Sequence, residues 1–126
     1  MSLQAYQKSA ARAEDPRATE YRLFAQVTRS LMNAKSLPIE SLQDRALAID
    51  WNRRVWSNLA LDCASQDNKL PEALRAAIIS LSIFVSKQGS HAMRNPEAID
   101  DLVDINRTVM QGLMPQAAAG AEQAVG

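Results

Sequence analysis

Apolar residues recur three and four positions apart along most of the chain, the spacing of helices that bury one face. Leu3, Tyr6, Ala10 and Ala13 follow a 3-4-3 rhythm, which predicts a short amphipathic helix over residues 3–13. So short a helix is unstable alone and is expected to dock on the rest of the molecule. Asp15-Pro16 then offers an N-cap followed by a first-turn proline. It predicts a second helix to about Ala34, with Tyr21, Phe24, Val27, Leu31 and Ala34 in its stripe. Ser36-Leu37-Pro38 breaks the pattern, and Ser41 with Asp44 resembles a capping box. The third helix is expected from about Leu42 to Ser65, burying Leu42, Ala46, Ile49, Trp56, Leu59 and Cys63, with Trp51, Val55 and Ala60 widening the face.

After the polar turn Gln66-Asp67-Asn68-Lys69-Leu70, Pro71 opens a fourth helix. Leu74, Ile78, Leu81 and Val85 form its seam, Ala77 and Phe84 broaden it, and Gly89 is expected to end or weaken it. Ile79 and Ile83 fall outside that seam, so this helix is either central or has a second apolar surface. Asn95-Pro96 starts the last helix, which runs to about Leu113 with Ile99, Leu102, Asn106, Val109 and Leu113 on one face. Glu97, Asp100 and Asp101 lie near its N-terminal end, as the helix dipole favours. Gly112 and Pro115 mark its close. The pattern therefore predicts an all-α fold, a compact helical bundle of four main helices plus a short N-terminal helix. The domain is expected over residues 1–114, and the alanine-rich residues 115–126 are expected to form a disordered tail.

Composition sharpens this picture. The chain has 126 residues, enough for one domain with a modest core, and only 5% are aromatic, so the core must be aliphatic. Four glycines and five prolines are too few for the many turns of a sandwich or barrel. The 14 basic and 14 acidic residues cancel, which gives no cationic surface for nucleic acid. A single cysteine, Cys63, excludes an internal disulfide and fits a reduced compartment. There is no signal-peptide pattern and no run of about 20 apolar residues, so neither secretion nor a membrane span is expected.

Candidate chemistry is sparse. His91, expected in a loop after Gly89, has no local partner to orient it as a base or metal ligand. Cys63 closes an apolar stripe without a neighbouring group in sequence to activate it, so it reads as a buried, inert thiol. Asp100 and Asp104 share a helix face, but a solvated face is the simpler reading than a carboxylate pair. No glycine-rich phosphate loop or Cys/His metal pattern is present, so no enzyme, cofactor or metal is expected. Arg53 and Arg54 lie among Trp51 and Trp56, yet two arginines do not make a nucleic-acid groove, and tryptophans at helical spacing usually pack in a core.

The unusual positions are Asn52 and Asn106, each inside an apolar seam and each followed by arginine. A buried amide without hydrogen bonds costs roughly 1–3 kcal/mol. Either each asparagine is satisfied within the bundle, or the pair positions Arg53 and Arg107 toward a partner. Arginine and tryptophan are common interface anchors, which makes Trp51, Arg53, Arg54 and Arg107 the candidate partner-binding residues. Trp56 and Phe84 are expected to be structural instead.

Four segments, taken in order, resemble the FlaF family of bacterial flagellar biosynthesis regulators. They are Asn52-Arg53-Arg54-Val55-Trp56; Asp67-Asn68-Lys69-Leu70-Pro71 leading to Leu74-Arg75; Ser80-Leu81-Ser82-Ile83-Phe84-Val85; and Ile105-Asn106-Arg107 through Met110-Gln111-Gly112-Leu113. Pro16-Arg17 and Glu20 fit the family's opening, and the resemblance runs from about Tyr6 to Leu113. It implies an all-helical, non-enzymatic cytoplasmic protein that promotes flagellin synthesis and export, with flagellin and the translational regulator FlbT as partners. Two roles are compatible with it: a chaperone or adaptor that binds flagellin directly, or an anti-repressor acting through FlbT on flagellin mRNA. A chaperone of this kind needs an apolar groove for an amphipathic helix, and the short N-terminal helix is a candidate lid over it.

Overall fold

The computed structural model describes residues 16–113. The N-terminal helix expected over residues 3–13, its role as a lid and the tail boundary at 114–115 lie outside the described residues. Four α-helices follow in chain order: α1 (Pro16–Lys35), α2 (Leu42–Ala64), α3 (Glu72–Ala92) and α4 (Ile99–Gly112). A single 3-10 turn, Pro96–Ala98, leads into α4. Among the described residues there are no strands. Helix α1 packs on α2 and α4, and α3 packs on the same two, which closes the four into a ring. The short connections make sequential neighbours antiparallel.

The ring encloses an aliphatic core of Val27, Leu31, Ile49, Val55, Leu59, Ile78, Val85, Ile99, Leu102, Val109 and Leu113. Phe24 from α1 meets Trp56 from α2 edge to face, with ring centroids 5.4 Å apart. That geometry sets the positive ring edge against the negative face. Every residue of the predicted stripes of α1 and α4 is buried, apart from half-buried Tyr21.

Several expectations are corrected. Leu42 is exposed rather than in the core, and Ala46 is half-buried, because the inward face of α2 is set by Arg45, Ile49, Asn52 and Trp56. Ser41 makes no side-chain cap, so no capping box forms. Phe84 is 47% exposed and Ala77 is exposed, since α3 turns Ile78, Val85, Gly89 and Ala92 inward. Gly89 does not end α3, which continues to Ala92 and so places His91 in its last turn. The glycine sits where α2 comes close: a Cβ there would lie 3.1 Å from Ile49 Cγ2. Gly112 does the same for α4, where a Cβ would lie 3.0 Å from Leu74 Cδ1.

Candidate functional site

Both asparagines are buried, and they meet at the centre of the bundle. Asn106 on α4 donates from Nδ2 to Asn52 Oδ1 on α2 at 2.9 Å and to Thr28 Oγ1 on α1 at 3.1 Å. Its Oδ1 accepts a 2.8 Å hydrogen bond from Trp56 Nε1. One amide thus joins three helices, including α2 and α4 across the ring. The internal reading of the asparagines is correct, with side chains rather than backbone carbonyls as partners. Asn52 Nδ2 has no hydrogen-bond partner among the described residues. The network is incomplete at that end.

Arg45 was not singled out by sequence, and it is fully buried. Its Nη2 donates to the carbonyls of Pro38 and Ile39 at 3.0 and 3.1 Å, and its Nη1 to Met93 O at 3.4 Å. It therefore ties the α1–α2 loop to the end of α3. Its signal in the sequence is the 4-3-4 spacing of Arg45, Ile49, Asn52 and Trp56. Arg75 has a related role at the other end of α2. Its Nε donates to Cys63 O at 2.8 Å and its Nη2 to Ser65 O at 2.9 Å, satisfying carbonyls that the helix end leaves open. Asn68 completes the turn, donating to Asp62 Oδ2 and accepting from Leu70 N.

The four candidate anchors do not form one cluster. Trp51 is half-buried against the core. Residues two apart on a helix lie about 160° from one another, so Arg53 emerges on the opposite flank of α2. Arg53 and Arg54 both pair with Asp50, at 2.5 and 2.8 Å. The hydrogen bond from Arg53 is the main reason the Asp50 carboxyl titrates below its usual range. The three side chains leave one net positive charge on this face. Arg107 lies on α4, its guanidinium 3.7 Å from Met32 Sδ, in a cleft with Tyr21, Met110 and Gln111 between α1 and α4.

Arg53 instead lines a groove of about 230 Å³ between α2 and α3, with Ala46, Ile49, Asp50, Ser86, Gly89, Ser90 and Met93. Its walls are mostly small side chains on the α3 side, so a guest can approach the backbone closely, while Ile49 and Met93 supply apolar surface. Asp50 and Arg53 give the rim polar groups of both signs. A smaller hollow of about 110 Å³ lies between α1 and α2 beside Leu23 and Phe24.

Cys63 is buried, and its thiol is pushed up to about 11, chiefly by desolvation, with Glu20 and Asp62 adding to the effect and Arg75 opposing it. That suits an inert packing residue. His91 is exposed, with Nδ1 3.2 Å from Asn95 Nδ2. Asp100 pairs with Lys35 at 2.7 Å, and Asp104 is exposed. Among the described residues no group of three or more His, Cys, Asp or Glu is placed to hold a metal ion. No described helix is long and apolar enough to cross a membrane.

The model of a protein family described as flagellar protein FlaF matches residues 2–113. The chain belongs to the FlaF family of flagellar proteins. No curated protein and no solved structure matches it. The segments that resemble the family hold Asn52, Trp56 and Asn106, which form the central network, and Asn68 and Arg75, which close α2.

Proposed function

We propose that this flagellar protein is a non-enzymatic cytoplasmic chaperone or adaptor that binds flagellin and promotes its synthesis and export. Membership of the FlaF family carries the reading. The groove between α2 and α3 supports it, because small walls, an apolar floor and a rim of Asp50 and Arg53 suit an amphipathic helix. Such a helix would set its apolar stripe on Ile49 and Met93 and its polar margin against Asp50 and Arg53. Trp51 and Arg107 lie on other flanks and are outside this contact.

The test is size-exclusion chromatography with light scattering on the protein mixed with purified flagellin, then with FlbT added. A stoichiometric complex with flagellin alone, stable to nuclease, is the expected result. Co-elution only when FlbT is present would replace the chaperone by an adaptor that relieves FlbT-dependent repression of flagellin mRNA. No complex with either would overturn the proposal.

A further inference from the structure

Helix α3 carries a second apolar face pointing away from the core. Ile79, Ile83 and Phe84 are 38%, 59% and 47% exposed, although α3 already buries Ile78 and Val85 on its inward side. Glu72, Ala76, Ile79, Ser80, Ile83 and Lys87 fall within an arc of about 100° at the helical repeat. All are exposed, except that Ile79 stands at the margin. As in any helical stripe, their spacing of 4-3-1-3-4 reads the same from either end; what is particular here is the side chains it brings together. If two such helices cross antiparallel, each position meets its mirror. Glu72 meets the second copy's Lys87, Ala76 meets its Ile83, and Ile79 meets its Ser80. Acid lies against base and small against large at every step. Neither Glu72 nor Lys87 has an ion-pair partner among the described residues.

We infer that this face of α3 is an isologous contact through which two copies of the protein associate about a two-fold axis. A two-fold interface uses one patch twice and so must be self-complementary, and this stripe is so by charge at its ends, Glu72 against Lys87, and by side-chain size between them. The antiparallel register of α2 on α3, fixed by Arg75 at Cys63 and by Gly89 at Ile49, sets the exposed Leu61 level with Ala77, in the N-terminal half of the stripe. Phe84 widens the opposite margin. The area offered by one helix face is at the small end of specific interfaces, so the dimer is weak.

This inference is independent of flagellin binding and is tested on the protein alone. Sedimentation velocity over a wide concentration range is expected to show a monomer–dimer equilibrium. Ile83→Asp, at a well-exposed position, is expected to abolish it with the circular dichroism unchanged. Glu72→Lys and Lys87→Glu are each expected to weaken self-association about tenfold, because like charges then meet at both symmetric ends. Mixing the two single variants in equal amounts restores both ion pairs and is expected to recover wild-type affinity. A wild-type protein that stays monomeric throughout would overturn the inference. So would a dimer that Ile83→Asp leaves intact, or a mixture that associates no better than either variant alone.

Discussion

The bundle is organised around side chains that are polar and buried. Asn106 satisfies Trp56, Asn52 and Thr28 at once, whereas Asn52 leaves its own Nδ2 without a partner among the described residues. The two asparagines should therefore respond unequally to replacement. Asn106→Leu strands three partners and is expected to cost about 3 kcal/mol or more, while Asn52→Leu removes an unsatisfied donor and is expected to cost about 1 kcal/mol. Urea unfolding of both variants and the double mutant measures this, with a coupling energy of about 1–2 kcal/mol expected between them. Cys63 adds a pH dependence. Its folded thiol titrates at about 11 against an ordinary 9.0, so the folded state holds the proton more tightly. The stabilisation is complete below pH 9 and is lost as the pH rises toward 11. Over that window the wild type should lose stability more steeply than Cys63→Ala, and parallel curves from denaturant titrations would refute this.

At the scale of elements, the inward faces of α1 and α4 were legible because each has one partner side and a clean stripe. The asparagines were legible too, as polar interruptions in apolar seams. Helix α3 was harder because it is apolar on both sides. Phe84 stands three residues from Leu81 and so is expected to broaden the seam, yet it lies on the outward half of the helix. Gly89 is expected to end or weaken the helix, whereas the structure uses its missing Cβ to admit Ile49. Arg45 was overlooked because arginine is rarely buried without an acidic partner. Only the loop carbonyls of Pro38 and Ile39, brought close by the fold, explain its position. Of the candidate anchors, periodicity alone separates Trp51 from Arg53; the division of Arg53 and Arg107 between different clefts depends on how the helices close. Arg75 makes a prediction at this scale. Arg75→Ala leaves the carbonyls of Cys63 and Ser65 without their charged donor and is expected to cost about 2 kcal/mol. Hydrogen exchange should then quicken first over the last turn of α2 and the 65–71 connection, while the centre of the bundle stays protected.

For the molecule as a whole, a hydrogen-bonded centre supports two outward features: a small-walled groove between α2 and α3, and the exposed face of α3. The central claim is that the groove receives flagellin. The most direct measurement is the affinity of flagellin for the wild type, for Ser90→Trp, which fills the groove from an exposed position, and for Arg107→Glu, which alters the separate α1–α4 cleft. A loss of tenfold or more with Ser90→Trp, alongside a change within about twofold for Arg107→Glu, is the expected result. Unchanged binding to a folded Ser90→Trp, or a larger loss from Arg107→Glu, would contradict the account.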